Sequence, residues 1–131
     1  IFTADIIREL DIDCEVDFIK ISSYEGMNST GLIKMSKDLS TDIKNRRVII
    51  VEDIIDSGLS IKYLYKHILK YKPKDITIVS LLAKTNNYKL NFHIDIIGFE
   101  ISSEFVVGYG LDFNQRFRNL KSIFKLNSPS R

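Results

Sequence analysis

Three carboxylates lie close together in the segment VIIVEDIIDSGLS. Glu52 and Asp53 follow an apolar run, and Asp56 comes directly before Ser57 and Gly58. Carboxylates at this spacing can accept hydrogen bonds from sugar hydroxyls, hold Mg²⁺, or take a proton from a second substrate. This segment is therefore the first candidate for a chemical site.

The turn after these acids has the composition of a phosphate-binding loop. Gly58 allows close approach of the backbone to a ligand, Ser57 and Ser60 offer hydroxyls, and the amides at a helix start carry partial positive charge. The spaced glycines and the Gly-Lys-Ser/Thr ending of a Walker loop are missing. Carboxylates beside a phosphate site suit a ribose phosphate, although acidic N-capping of a helix explains the same spacing.

The composition of the chain limits the classes of function. Its 131 residues, 44% hydrophobic and 27% charged, fit one globular domain. The basic residues are scattered and the net charge is +2, which argues against a nucleic-acid partner. No apolar run approaches the ~18 residues that span a membrane. The single Cys14, which we expect in the core, favours a reducing, cytoplasmic setting.

Apolar runs define the elements that must position this site. RRVIIVED, KDITIVSLLAK and HIDIIGFEI are continuous enough to predict strands of a parallel sheet covered on both faces. Between the first two, residues 59–71 have apolar side chains at helical spacing, and Pro73 follows. This order predicts a doubly wound α/β sheet with right-handed crossovers.

The two ends of the chain have less regular patterns. FTADIIREL predicts an amphipathic helix with Thr3 as its N-cap, and CEVDFIKIS and LIKMSKDL predict a hairpin around a polar loop. EFVVGYGLDFNQRFRNL has no sustained period, SIFKL predicts a last short strand, and residues 127–131 read as a frayed tail. We expect a single domain over residues 1–131.

Several of these segments resemble one enzyme family. VIIVEDIIDSGLS is similar to the phosphoribosyl pyrophosphate motif of type I phosphoribosyltransferases. VDFIKISSYEG, LLAKT, DIIGFEI and EFVVGYGLDFNQRFRNL are together similar to the bacterial hypoxanthine-guanine branch. The resemblance extends from Phe2 to Leu126. It implies a doubly wound, mostly parallel sheet with a flexible β-hairpin loop and a small C-terminal hood segment.

The resemblance also implies roles for the acids and the turn. Glu52 and Asp53 would bind the ribose diol, with a metal ion alongside. Asp56 would contact N7 of the purine as the catalytic acid/base group. The turn would hold the 5′-phosphate with Asp56, Ser57, Gly58, Leu59 and Ser60.

Residues nearer the C-terminus match the family positions that bind the base and the leaving group. Lys84 would read the exocyclic oxygen of the purine, Phe105 would stack on the base, and the backbone of Val106 would meet its edge. Asp112 would bind a second Mg²⁺ beside the purine, and Arg118 would face the pyrophosphate.

The resemblance implies an activity and its partners. SSYEGMNSTG matches the mobile loop that closes over the site, with Ser23 and Tyr24 at its tip, although composition alone predicts only a polar hairpin loop. The implied reaction is the Mg²⁺-dependent transfer of phosphoribosyl from phosphoribosyl pyrophosphate to hypoxanthine or guanine, which yields IMP or GMP and pyrophosphate in purine salvage. A cytoplasmic homodimer or homotetramer is implied as well.

Alternatives remain at this point. Because the family carries a further strand and a pyrophosphate-binding loop upstream of Phe2, we expect the chain to lack the N-terminal part, and an inactive fragment is one alternative. A second is a non-catalytic, nucleotide-sensing regulator on the same fold, which usually loses the purine-reading set that Lys84, Phe105 and Asp112 represent. A receiver domain, the third, would lack the Ser-Gly turn.

Overall fold

A computed structural model describes residues 1–23 and 33–126 of the chain. Tyr24 and the predicted tail at 127–131 therefore lie outside the described residues. The elements, in chain order, are α1 Phe2–Glu9, β1 Lys20–Ser23, β2 Ile33–Lys37, β3 Arg47–Ile55, α2 Leu59–Leu69, β4 Asp75–Ala83, a 3₁₀ turn Thr85–Asn87, β5 Ile96–Glu100, β6 Val106–Val107 and β7 Phe124–Lys125.

A three-stranded parallel sheet with the order β3-β4-β5 forms the centre of the fold. Ile55 pairs with Ala83, and Ala83 pairs with Glu100. The last residues of the three strands are therefore in register, and their carboxyl ends meet at one edge. The predicted α/β fold with a mostly parallel sheet is confirmed.

The core lies where α2 packs on this sheet. Ile61, Leu64 and Ile68 are the buried residues of α2, and their spacing of three and four places them on one helix face. Ile61 joins Ile55 of β3 and Ile78 of β4 in one buried cluster. Burying each such side chain contributes about 1.5–3 kcal/mol, so this cluster fixes α2 and the turn before it.

The predicted hairpin is confirmed, with a later start than expected. β1 and β2 pair antiparallel, with Lys20 opposite Lys37. The Asp17 carboxylate accepts hydrogen bonds from the backbone N–H groups of Ser40 and Thr41, at 2.6 and 3.0 Å, so side-chain contacts replace strand pairing before Lys20. Cys14 lies in this irregular segment and is exposed, so the expectation of a core cysteine is wrong.

α1 begins at Phe2, with Ile1 as its N-cap. Thr3 therefore lies inside the helix, and the prediction that it caps the helix is wrong. The Tyr109 hydroxyl donates a hydrogen bond to Asp5 and joins α1 to the C-terminal part of the chain. In the described ranges 1–23 and 33–126, no helix has the length and apolar character that a membrane crossing requires.

The C-terminal segment, residues 105–126, is built from a short β6-β7 pair and successive turns, and we refer to it as the hood. Gly108 has a φ of +95°, and a Cβ at this position would overlap the carbonyl oxygen of Ser122. The backbone N–H groups of Tyr109 and Gly110 donate to the carbonyl oxygens of Leu120 and Arg118. The hood is therefore held together mainly by its own backbone, which explains its lack of a hydrophobic period.

Candidate functional site

Asp56 and Lys84 lie side by side because each directly follows one of two paired strands. Asp56 follows the last residue of β3 and Lys84 follows the last residue of β4. The Lys84 backbone N–H donates to the carbonyl oxygen of Ile55 at 2.9 Å, which extends the strand register by one residue. The Lys84 ammonium is 2.6 Å from Asp56 Oδ2. Two residues that lie far apart in the sequence thus form one ion pair.

This ion pair has one buried and one accessible member. Lys84 is 8% exposed, whereas the Asp56 side chain is 53% exposed. Partial burial raises the pKa of Asp56, but hydrogen bonds from Lys84 and Asn87 and the charge of Lys84 outweigh it and lower the pKa overall. Asp56 is therefore a carboxylate at neutral pH, as a proton acceptor must be.

Asn87 is a member of the site that the sequence reading missed. Its side-chain Nδ2 donates to Asp56 Oδ1 at 2.8 Å. It ends the 3₁₀ turn Thr85–Asn87, which directly follows β4. Its position could have been inferred, because side chains just past the carboxyl ends of parallel strands converge on the same edge of the sheet.

The Ser-Gly turn has the geometry of an anion site. Gly58 is the N-cap of α2, with a φ of 74°; no side chain caps the helix, and no acid lies in its first turn. The alternative interpretation of these acids as N-caps is therefore wrong. The Ser57 hydroxyl is 3.4 Å from the Leu59 N–H, a long and weak contact. The first N–H groups of α2 lack intrahelical partners and can receive a phosphate.

Gly58 is also required by packing. A Cβ at this residue would lie 2.8 Å from the Cβ of Tyr88, closer than real side chains approach. Leu90 is the next neighbour, at 3.3 Å from the same point. The segment after β4 therefore packs against the Ser-Gly turn at Gly58, and Asn87 of the same segment bonds to the Asp56 carboxylate directly before the turn.

Glu52 and Asp53 lie within β3, because the strand continues to Ile55. Their side chains point to opposite faces of the sheet, since successive strand residues alternate. Burial, with a smaller contribution from the charge of Asp53, raises the pKa of Glu52 to about 7. Asp53 is exposed, and its Oδ1 accepts the Ile54 N–H at 2.8 Å. The two acids therefore have different environments.

The predicted base-stacking residue is accessible in the hood. Phe105 is 50% exposed and meets Phe113 edge-on, with ring centroids 5.7 Å apart. The Phe105 carbonyl oxygen accepts the Leu126 N–H at 2.8 Å, and Val106 pairs with Lys125. The exposed part of the Phe105 ring is therefore available for stacking, and the backbone contacts with Lys125 and Leu126 hold this segment in place.

Asp112 and Arg118 form a second ion pair within the hood. Arg118 Nη2 is 2.8 Å from Asp112 Oδ1, while Asp112 Oδ2 accepts the Gln115 N–H at 2.8 Å. The other terminal nitrogen of Arg118 donates to the carbonyl oxygen of Gly110, also at 2.8 Å. Between this pair and the Asp56–Lys84 pair, the described residues show no direct ion pair or hydrogen bond.

The remaining predicted positions are less informative. Ser23 is the last residue of β1, opposite Ile33, and Tyr24 lies outside the described residues. Within residues 1–23 and 33–126, no three His, Cys, Asp or Glu side chains are grouped closely enough to hold a metal ion by themselves.

Comparisons with known proteins identify the family of the chain. A sequence profile described as "Phosphoribosyl transferase domain" matches residues 1–114. The chain is 46% identical over 123 residues to a hypoxanthine-guanine phosphoribosyltransferase of Bacillus subtilis, covering 93% of the chain and 68% of that relative. It is 44% identical over 126 residues to the hypoxanthine phosphoribosyltransferase of Escherichia coli, covering 95% of the chain and 71% of that relative.

The fold agrees as well. The crystal structure of a hypoxanthine phosphoribosyltransferase from Staphylococcus aureus superposes with a TM-score of 0.89 at 38% identity, covering 96% of this chain and 69% of that one. Sequence and structure thus point to the same relatives. The chain belongs to the phosphoribosyltransferase family, in its hypoxanthine-guanine phosphoribosyltransferase branch.

Proposed function

We propose that this chain carries the site that transfers a phosphoribosyl group from phosphoribosyl pyrophosphate to a 6-oxopurine, hypoxanthine or guanine, in purine salvage. The bond from ribose C1′ to the pyrophosphate oxygen breaks, and a bond from C1′ to purine N9 forms. Asp56 takes the proton from N7, and IMP or GMP and pyrophosphate are the products. The observation that carries the proposal is the Asp56–Lys84 pair directly beside the uncapped start of α2.

The pair accounts for the choice of base. A lysine ammonium only donates hydrogen bonds, so it can bind a 6-oxo group but not the donating face of the 6-amino group of adenine. Lys84 is buried and is held at a fixed place by its backbone bond to Ile55. Phe105 offers a ring face for stacking, and the Val106 backbone lies next to it for the purine edge.

The turn accounts for the sugar phosphate. The amides of the turn and the hydroxyls of Ser57 and Ser60 hold the 5′-phosphate, and Gly58 permits its close approach. Asp53 is exposed and can accept hydrogen bonds from the ribose diol. The Glu52 side chain lies on the opposite face of β3 and is partly buried, so we assign the diol to Asp53 rather than to both acids. Acids and an anion can share this segment because they contact different parts of one ligand.

The carboxylates fit a requirement for Mg²⁺. Mg²⁺ prefers oxygen ligands and is usually bound by one or two carboxylates together with substrate phosphates, which agrees with scattered acids rather than a closed cluster. Asp53 would hold it on the ribose side, and Asp112 on the pyrophosphate side. When bound, Mg²⁺ neutralises charge that develops on the leaving pyrophosphate. Arg118 contributes charge to the same group.

Further proposals concern the setting of this site. Closure of the predicted mobile loop would exclude water, which competes with the base; Ser23, paired with Ile33, lies at the base of this loop and not at its tip as predicted. We assign residues 1–131 to a single domain, and the hydrogen bond from Tyr109 to Asp5 supports this assignment. Exposed Phe99 and Phe124 favour a homodimer or homotetramer. The single cysteine favours the cytoplasm.

The test is a substrate panel with the full-length gene product. We expect nucleotide formation from phosphoribosyl pyrophosphate and hypoxanthine or guanine in the presence of Mg²⁺, with xanthine as a third candidate and adenine much poorer. Chelation of Mg²⁺ should abolish turnover. If no base gave a nucleotide, the proposed activity would be wrong, and a nucleotide-sensing regulator on the same fold would be the better interpretation. The relatives, which are enzymes, do not favour that alternative.

A further inference from the structure

We propose that Asn87 is a positioning residue for the transfer reaction, holding the Asp56 carboxylate in its working orientation while Lys84 bonds to both Asp56 and the purine. The inference rests on the proposed function and extends it to a residue outside the motifs that identify the family. The observation behind it is that the two carboxylate oxygens of Asp56 accept hydrogen bonds from two different side chains, those of Lys84 and Asn87.

Each oxygen of Asp56 has its own partner. Lys84 Nζ lies 2.6 Å from Oδ2, and Asn87 Nδ2 lies 2.8 Å from Oδ1. An ionised carboxylate only accepts hydrogen bonds, so the amide nitrogen of Asn87 must face it. Such two-sided contact fixes both the position and the rotation of the carboxylate plane.

The two donors are not equivalent once a base is bound. Lys84 must also direct one of its three N–H donors to the 6-oxo group, so the position of its ammonium has to satisfy both the base and Asp56. Asn87 has no such second task and can keep its contact. Since the Asp56 side chain is 53% exposed, packing alone does not hold it.

Asn87 is itself well anchored, although its side chain is exposed. Its backbone N–H donates to the carbonyl oxygen of Lys84 at 2.8 Å, which closes the 3₁₀ turn. At the start of that turn, the Thr85 hydroxyl donates to Glu100 at 3.3 Å. Directly after it, Tyr88 packs beneath Gly58. The turn therefore connects the carboxylate to the phosphate-binding loop as one unit.

The same contact bears on the protonation of Asp56. The groups that face this carboxylate are Lys84 and Asn87, and partial burial acts against them. A donor to the charged form lowers the pKa of an acid. Loss of the Asn87 amide should therefore raise the pKa of Asp56 and move the acidic limb of activity to higher pH.

The test compares Asn87→Ala with Asn86→Ala in the full-length enzyme. Asn86 is the neighbouring exposed residue of the same turn and serves as the matched control. For Asn87→Ala we expect kcat lower by about ten- to hundredfold, the range for a hydrogen bond to a charged group. The KM for phosphoribosyl pyrophosphate should stay unchanged, and the acidic limb of the kcat/KM profile should shift upward.

Two further variants separate positioning from folding. Asn87→Gln keeps an amide donor and should recover part of kcat, whereas Asn87→Asp places a second negative charge beside Asp56 and should be worse than alanine. Equal kcat and equal acidic limbs for Asn87→Ala and Asn86→Ala would overturn the inference, as would a loss of kcat with no shift of the limb. An inactive wild-type enzyme would instead defeat the proposed function.

Discussion

The turn after β3 and the hood are held in place by different physical means. Asp56 and Lys84 directly follow two paired strands, whose last residues, Ile55 and Ala83, are both buried. The hood has little buried side-chain area and depends on backbone bonds and positive φ values, among them those of Gly108 and Tyr109. The sheet thus positions Asp56 and Lys84, whereas turns position the hood residues to which we assign contacts with the base and the leaving group.

The strongest test of this contrast is Asp56→Asn. The change keeps the size of the side chain and removes the proton acceptor, so we expect kcat to fall by about 10²–10⁴-fold. Binding of phosphoribosyl pyrophosphate, measured by calorimetry, should persist, because the turn amides remain. Unchanged turnover would remove Asp56 from the mechanism.

Two glycines, one in each region, test the role of packing. Gly58→Ala combines a φ of +74° with a Cβ only 2.8 Å from Tyr88, so we expect a loss of about 2–4 kcal/mol in the free energy of unfolding. Gly110→Ala has a φ of +98° with neighbours no closer than 3.8 Å, so about 1–2 kcal/mol is expected. Urea unfolding measures both. Equal losses would mean that the support from Tyr88 is unimportant.

Arg118→Gln tests whether the hood ion pair serves binding rather than stability. The pair is partly exposed, so its removal should cost about 1 kcal/mol or less. The KM for phosphoribosyl pyrophosphate should rise by about tenfold, since a charged hydrogen bond to the leaving group is lost. Arg8→Gln, which removes the exposed ion pair with Asp5, is the control and should leave KM unchanged. A large loss of stability with normal KM would reverse the assignment.

The base of the hairpin offers a fourth, smaller test through pH. The Lys37 ammonium, with backbone N–H groups led by Ser40, lowers the pKa of Asp17. A carboxylate whose pKa is lower in the folded than in the unfolded state adds to the free energy of unfolding. This contribution is complete above the unfolded-state pKa of about 3.9 and is lost as the pH falls through the folded-state pKa. Asp17→Asn should therefore be less stable at pH 7 and lose less stability on acidification. Unfolding at a series of pH values checks this, with exposed Asp13→Asn as control. Parallel profiles for Asp17→Asn and the wild type would contradict it.

The parts that could be predicted from the sequence are those with one dominant physical cause. Continuous apolar runs predict β3, β4 and β5, and the turn around Gly58 follows from backbone chemistry. The expectation that the sheet is covered on both faces is wrong for β5, where Ile96 and Phe99 are exposed. Element ends were less predictable: β3 runs past Glu52 and Asp53 to Ile55, and α2 ends at Leu69.

Other features depend on contacts between distant residues. The bond from Asn87 to Asp56 joins two polar segments, and each has the composition of an ordinary loop. The hood could be interpreted only through its resemblance to a family, since its turns follow backbone hydrogen bonds that leave no periodic pattern. The roles of Phe105, Asp112 and Arg118 in binding therefore remain predictions.

The central claim is that the turn at residues 57–60 binds the 5′-phosphate while Asp56 faces the base. Amide chemical shifts followed by NMR during titration with IMP test it most directly. We predict that the largest changes occur at the N–H groups of residues 57–60, with smaller changes at Phe105 and Val106. Saturable binding with its largest changes away from the turn, or no change at residues 57–60, would contradict the account.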